Sequence, residues 1–330
     1  MNTEIKTRVL GNSGISVSPV GLGCMGFSHA YGEPTEKNTA VKMIRKAFDM
    51  GYTFFDTAEC YTDVNPDGSI SYNEELVGDA LREVRDRVVI ATKMGITFAP
   101  GGSVLDSSPA KIRASVESSL KRLGTDYIDL YYQHRIDPKV EPEVVADTMG
   151  QLIKEGKIRA WGISETGEEY LRRANAVTPV AAIQNRYSMI ARGYEPLFPV
   201  LEELNVALVA FSPMGNGFLT GAYNSSSTFA EGVDYRSRMP QYTKEGFEAA
   251  QELMSFLSKL GDQKGATTGQ LSLAWMLNKK PYIIPIPGSR KEHRILENFD
   301  SCQVELSAEE IHQIDELLDR MVIPAYGTKQ

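Results

Sequence analysis

Short apolar runs and longer amphipathic stretches take turns along the chain. The short runs are Thr53 to Asp56, Val88 to Thr92, Tyr127 to Tyr132, Ile158 to Ser164, Ala181 to Gln184, Val206 to Phe211 and Tyr282 to Ile286. They read as buried strands, and the near-continuous Val206 to Phe211 as one buried on both faces. Between them, apolar positions recur with helical spacing. Val41, Ile44, Ala47 and Phe48 mark a first helix ending near Gly51, and Leu76, Val77, Ala80, Leu81 and Val84 a second. The third has clear punctuation. Ser108 caps it, Pro109 suits its first turn, Ile112, Val116, Leu120 and Leu123 form the stripe, and Gly124 ends it. Further helices follow through Val145 to Ile153 (closed by Gly156), near Leu171, and through Leu197 to Leu204. A long loop runs from about Gly215 to Gln241, and two helices precede the last strand. Ser307 and Glu310 form a capping box for a C-terminal helix carrying Ile311, Ile314, Leu317 and Leu318.

Ahead of this alternation, Arg8-Val9-Leu10 and Ile15-Ser16-Val17 flank the turn signal Gly11-Asn12-Ser13-Gly14, which predicts a small hairpin. The repeat of about eight strands with intervening helices is that of an α/β (β/α)8 TIM barrel. An N-terminal hairpin and extra helices near the C-terminus are added to it. No linker or composition shift divides residues 1–330, so a single domain is expected. A doubly wound sheet is the rival, since Gly21-Leu22-Gly23-Cys24-Met25-Gly26 matches G-x-G-x-x-G. That fingerprint should open directly into a helix, whereas here Phe27 to Pro34 intervenes. The motif therefore reads as a barrel strand end whose glycines allow close approach.

Chemistry gathers at the carboxyl ends of the predicted strands. Asp56 ends one run and Tyr61 follows it closely; Lys93 and His134 end the next two. In an α/β barrel such ends meet at one mouth, where active sites sit. An acid, a phenol, an amine and an imidazole together make a proton-donating site. Taken singly, each has a blander reading. Tyr61 could be a loop tyrosine, Lys93 a strand-end lysine reaching water, His134 a satisfied core histidine and Asp56 a turn cap. Their joint placement outweighs these.

Composition narrows the partners. The chain has 330 residues, 42% hydrophobic and 24% charged, with a net charge of −8. That is ample for a core and offers no broad basic face, so nucleic acid is not an expected partner. No apolar stretch approaches the ~20 residues needed to span a bilayer. The polar start Met1 to Lys6 lacks the apolar core of a signal peptide. The three cysteines, Cys24, Cys60 and Cys302, are too few and too scattered for a disulfide framework and read as reduced thiols in a cytoplasmic protein. Cys60, beside Tyr61, is a candidate reactive thiol. With only His29, His134, His293 and His312 in the chain, no His/Cys spacing suggests a metal site.

Several ordered segments resemble the aldo-keto reductases over nearly the whole chain. They are Gly51 to Ala58, Thr92-Lys93, Asp126 to His134, Gly156 to Ser164, Gln184-Asn185, and Pro287-Gly288-Ser289 with Arg294, Glu297 and Asn298. The Gly23 to Gly26 and Tyr31-Gly32 segments look like the branch of bacterial and plant-type reductases of broad aldehyde scope. The resemblance implies NADPH-dependent reduction of an aldehyde or ketone. Tyr61 is then the proton donor, acidified by Lys93, which Asp56 holds charged, while His134 polarises the carbonyl. It also implies that Asp56, Ser164 and Gln184 lie around the nicotinamide and that Phe211 stacks on it. Ser212, Pro213, Met214, Gly215 and Leu219 form a flap along the pyrophosphate, and Met25 and Gly288 border the cofactor. Ser289, Arg290 and Arg294 clamp the adenosine 2′-phosphate, with Glu297 and Asn298 beside it, which favours NADPH over NADH. Two positions depart from the family pattern. Glu165 stands where Asn is common after Ser164, and Gly288 where Lys is common. Arg290 and Arg294 are left to supply the charge.

Two other functions fit parts of this pattern. The same fold could serve as a cofactor-binding redox sensor or regulatory subunit. A barrel lyase could use Lys93 as a Schiff base, although Asp56 would stabilise the ammonium and oppose it. Substrate identity and oligomeric state are not legible. Phe27, Tyr31, residues Ile96 to Ser107, the late loop and Tyr326 are expected to wall a partly aromatic cleft for a small carbonyl compound.

Overall fold

The alternation in the sequence becomes a closed ring of parallel strands in the computed structural model, which describes residues 6–99 and 102–326. The elements are β1 (Arg8–Val9), β2 (Ser16–Val17), β3 (Leu22–Gly23), α1 (Lys37–Asp49), β4 (Phe54–Asp56), β5 (Thr62–Val64), β6 (Ile70–Tyr72), α2 (Asn73–Leu81), β7 (Val89–Met94), β8 (Ile96–Ala99), β9 (Gly102–Leu105) and α3 (Pro109–Leu123). They continue as β10 (Ile128–Gln133), α4 (Pro142–Lys154), β11 (Ile158–Ser164), α5 (Glu168–Val177), β12 (Ala182–Arg186), α6 (Phe198–Leu204), β13 (Ala207–Phe211), α7 (Lys244–Lys264), α8 (Thr268–Lys279), β14 (Ile283–Pro285), α9 (Glu292–Asp300) and α10 (Ala308–Arg320).

Eight strands pair in the order β14-β13-β12-β11-β10-β7-β4-β3. Backbone hydrogen bonds from Gly21 N to Pro285 O (2.9 Å) and from Gly23 N to Pro287 O (3.3 Å) join the two ends and close the (β/α)8 barrel. The seam is tight: a Cβ on Gly23 would lie 2.7 Å from Ile286 O, and one on Gly288 2.6 Å from Gly23 O. A lysine at 288 would collide with the backbone, which gives a physical reason for glycine there. The G-x-G-x-x-G match is thus a seam and not a dinucleotide fingerprint; it leads into a short 3₁₀ turn, Met25–Phe27.

Side chains alternate along each strand. Phe54, Val89, Ala91, Leu130, Tyr132, Ala160, Ala182, Ala207, Val209 and Ile284 fill the lumen. Phe55, Ile90, Tyr131, Ile163, Ile183 and Leu208 face outward and pack under the helices. The predicted hairpin, β1 with β2, plugs the amino-terminal end with Leu10, Ile15 and Val17. Arg8 ties it down through the carbonyls of Lys280 (2.8 Å) and Ile283 (2.6 Å). The hairpin thus covers the end of the barrel opposite the carboxyl ends of the strands.

The punctuation of α3 is as the sequence predicts. Ser108 Oγ accepts from Lys111 N, and Gly124 ends the helix at φ +63°. The Ser307–Glu310 capping box of α10 forms in both directions, each cap contributing about 1 kcal/mol. Two hairpins are additions that the sequence pattern does not announce, β5–β6 directly after Tyr61 and β8–β9 after β7. Both are short and largely exposed, so neither carries a strong apolar alternation. The long loop holds three 3₁₀ turns, Gly215–Thr220, Tyr235–Arg238 and Pro240–Tyr242. Trp161 and Trp275 are fully buried packing residues.

Candidate active site

Lumen parity places one polar side chain at the open end of several strands in turn. Asp56 is the last residue of β4 and Lys93 lies near the end of β7. His134 follows β10 directly, and its N–H donates to Met94 O (2.9 Å). Beyond β4 the chain keeps pairing with β7, through Thr57 N to Ala91 O (2.8 Å) and Glu59 N to Lys93 O (3.1 Å). A turn closed by Tyr61 N to Ala58 O then swings Tyr61 back over the mouth. Its carbonyl is fixed there by Ser28 Oγ (3.0 Å) and Asn73 N (3.1 Å).

The four groups form one connected set. Lys93 Nζ donates to Asp56 Oδ1 (2.5 Å), to Thr57 O (2.7 Å) and to Tyr61 Oη (3.3 Å), which uses all three ammonium protons. The second Asp56 oxygen accepts from Gln184 Nε2 (2.7 Å). The His134 ring meets that of Tyr61 edge-on with centroids 5.7 Å apart, and its Nδ1 lies 3.5 Å from Cys60 Sγ. No described residue accepts the Tyr61 O–H. The held phenol therefore keeps its own proton without an acceptor among the described residues.

Burial dominates the electrostatics. Desolvation around the hydroxyl pushes the Tyr61 phenol up to about 12, although an edge of the ring reaches solvent. Lys93 pulls the other way, with the sign expected of an ammonium, but it does not win. The net acidification expected from the sequence is therefore corrected: Tyr61 stays a phenol at neutral pH. Burial opposes charge on Lys93 too, but Asp56 and Tyr61 outweigh it and raise its pKa. Burial raises Asp56, with Lys93 and Gln184 pulling it back. Burial, then Lys93 and Arg135, hold His134 well below the ordinary imidazole value, so it is neutral. Burial also pushes the Cys60 thiol up to about 12. That leaves scarcely any thiolate near neutrality, which opposes the expectation of a reactive thiol.

Around this centre stand the residues expected to border a cofactor. Ser164 Oγ donates to Gln184 O (2.9 Å) and accepts from Arg135 Nη1 (3.0 Å), while Gln184 has its amide committed to Asp56. Phe211 is half-buried at the end of β13, with the Arg186 guanidinium 4.8 Å from its ring centroid. Glu165 adopts φ +55° and accepts from Arg186 N (3.0 Å). Arg135 and Arg186 go unmarked in the sequence because lone arginines are usually solvated. Their positions, one after His134 and two after Gln184, share the strand-end signal.

Ser212 (φ +52°), Pro213, Met214, Gly215 and Leu219, the segment expected to form a flap, lead away from Phe211, with Met214, Gly215 and Leu219 buried. Met25 sits half-buried in its 3₁₀ turn across the seam from Gly288. The flap and α9 converge on the start of α8, where a Cβ on Gly269 would lie 3.5 Å from Met214 Sδ and 3.7 Å from Glu297 Oε1. Arg294 Nη1 donates to both Glu297 oxygens (2.9 and 2.7 Å). Arg290 is engaged with the carbonyls of Gly26, Tyr31 (3.0 Å) and Glu33 (2.8 Å), so it pins the loop after β3. Ser289 Oγ accepts from Lys291 N (3.1 Å). Asn298 is 4% exposed, and its Nδ2 has no hydrogen-bond partner. An orphaned donor on α9, a half-buried ring at β13 and an unused phenolic proton suit a dinucleotide laid across the mouth. Among the described residues, no three or more His, Cys, Asp or Glu side chains are grouped to hold a metal ion.

A plugged α/β barrel with a lysine-held phenol at its mouth is the architecture of a barrel oxidoreductase. Comparison with known proteins gives the family: the model of the aldo/keto reductase family matches residues 19–319, and the chain belongs to it. The chain is 38% identical to the aldo-keto reductase yakc [NADP(+)] of Schizosaccharomyces pombe, over 99% of this chain and 97% of that one. It is 37% identical to the aldo-keto reductase str7 of Strobilurus tenacellus, over 97% and 94%. Among solved structures, the glycerol dehydrogenase of Gluconobacter oxydans superposes with a TM-score of 0.84 at 30% identity, covering 99% of both chains. An aldo-keto reductase of Klebsiella pneumoniae in complex with NADPH gives 0.72 at 26% identity, over 99% and 98%. The chain is thus an NAD(P)H-dependent oxidoreductase of that family.

Proposed function

We propose that the protein reduces small aldehydes or ketones to alcohols with NADPH, using Tyr61 as the general acid. The observation that carries this reading is the Tyr61 hydroxyl, held by Lys93 at 3.3 Å with its own proton unclaimed. When bound, the nicotinamide cofactor supplies a hydride to the carbonyl carbon. Tyr61 gives its proton to the carbonyl oxygen as charge develops there. Lys93 stabilises the phenolate left behind, and Asp56, tied by Gln184, keeps the ammonium in place. His134, neutral and beside Tyr61, orients and polarises the carbonyl.

The proposed preference for NADPH over NADH rests on the start of α9, where Arg294, Lys291 and Ser289 lie near one another, with Arg294 paired to Glu297 until an anion competes for it. The name of the yeast relative and the ligand of the Klebsiella structure support NADP(H) as the cofactor. Arg294→Ala should raise Kd for NADPH about tenfold and leave NADH within about twofold, measured by fluorescence titration. The expected partner is a small carbonyl compound rather than a nucleic acid or a membrane. Among the described residues no helix is long and apolar enough to cross a bilayer. Cys24, Cys60 and Cys302 are unpaired, which suits a reducing, cytoplasmic setting.

A panel of aldehydes and ketones, assayed with NADPH and NADH side by side, tests the reading. Turnover of carbonyls with NADPH is the expected result. Tight NADPH binding with no turnover across the panel would replace it with a cofactor-binding sensor.

A further inference from the structure

Cys60 lies within hydrogen-bonding reach of the imidazole of His134 and plays no part in the proton transfer above. Its side chain is 7% exposed and packs in a small apolar cluster with Ala58, Ile96, Tyr61 and Leu105. Its Sγ lies 3.5 Å from His134 Nδ1, within reach of a sulfur hydrogen bond. Among the described residues no other group bonds Nδ1, and none bonds Nε2. Nε2 is thus left for an incoming carbonyl oxygen, and only an Nε2–H can polarise it. A neutral imidazole carries one proton, so the hydrogen bond at one nitrogen decides which nitrogen donates at the other.

We propose that the Cys60 thiol is a positioning residue that sets the tautomer of His134. The S–H donates to Nδ1, and the single ring proton then resides on Nε2. The opposite arrangement, Nδ1–H to sulfur, would turn a lone pair toward the carbonyl oxygen and repel it. Three features favour the first. The thiol keeps its proton at neutral pH because burial raises its pKa. Among the described residues the Sγ makes no hydrogen bond to any other residue. Thioether and thiol sulfur are weak acceptors, whereas imidazole nitrogen is a good one. The role rests on the reading of His134 as the group that meets the carbonyl, but the tautomer itself can be observed without turnover.

The test is a long-range proton–nitrogen spectrum of the full chain labelled with ¹⁵N-histidine, His134 being assigned by loss of its signals in His134→Gln. The expected pattern in the parent is Nε2–H. Cys60→Ala should give a mixed or Nδ1–H pattern and lower kcat about tenfold, with NADPH Kd within about twofold. Cys60→Ser, which keeps a donor, should retain the Nε2–H pattern and most of the rate. An Nδ1–H pattern in the parent would overturn the proposal without any variant. So would a Cys60→Ala enzyme with unchanged tautomer, or a serine variant that loses as much rate as alanine. A parent enzyme with the Nε2–H pattern and no carbonyl turnover would leave the tautomer assignment standing and remove only the functional reading.

Discussion

Two buried carboxylates, on the strands either side of β7, show how the same chemistry serves different ends. Asp129, on β10, faces outward near the amino-terminal end of the barrel. It accepts from Ile90 N (3.0 Å) and Arg159 (2.7 Å) and is ion-paired with Arg85 (2.8 Å). Arg85 in turn donates to Thr125 Oγ1, Val88 O and Tyr127 O and stacks on the Tyr127 ring, so that little capacity is left over. Asp56, on β4, faces the lumen at the other end and begins a chain: Gln184 to Asp56, Lys93 to Asp56, Lys93 to Tyr61. That chain finishes on a hydroxyl whose proton no described residue accepts. A closed network commits its hydrogen-bonding capacity to the fold, whereas an open one leaves a donor free for a ligand.

The largest expected effect breaks the open chain at its end. Tyr61→Phe should lower the rate of carbonyl reduction by about a thousandfold, the scale of a lost general acid, with NADPH binding nearly intact. Full activity would remove the proposed donor. Next in size is Lys93→Met, which strands Asp56 in the lumen. A loss of about 3 kcal/mol in urea denaturation is expected together with loss of turnover. Arg85→Met, at the closed network, should cost about 2 kcal/mol and leave kcat per folded molecule unchanged, since Asp129 keeps Ile90 N and Arg159. Arg159→Ala should cost at most about 1 kcal/mol because the guanidinium is 53% exposed. If the two arginine variants lost activity as well, the division between structural and chemical networks would fail.

The protonation states sharpen the same contrast. With Tyr61 as the proposed general acid, reduction needs the protonated phenol, so activity is expected below the Tyr61 pKa and its loss above it. With Tyr61 pushed up to about 12 and His134 held neutral, single-turnover hydride transfer should be flat from roughly pH 6 to roughly pH 9. A descending limb between those values in stopped-flow traces would mean that Lys93 outweighs burial at the mouth.

The sequence carried the repeat, because strands buried on both faces must be apolar and helices over them must be amphipathic. It also carried Asp56, Lys93 and His134, whose polar character interrupts those runs at their ends. The β5–β6 and β8–β9 hairpins were not legible, being exposed and therefore free of any apolar constraint. Nor was the engagement of Arg290, whose three carbonyl partners come from a loop more than two hundred and fifty residues away. A guanidinium reads the same in sequence whether it awaits a phosphate or pins a loop.

What the chain alone determined is local and periodic: which segments form strands and helices, where they stop, and which residue types stand at their ends. The direction of the Tyr61 shift needed the tertiary structure, because burial and the pull of Lys93 oppose each other and only distances decide between them. The same holds for the partnership of Cys60 with His134, brought together across 74 positions by the closing of the barrel.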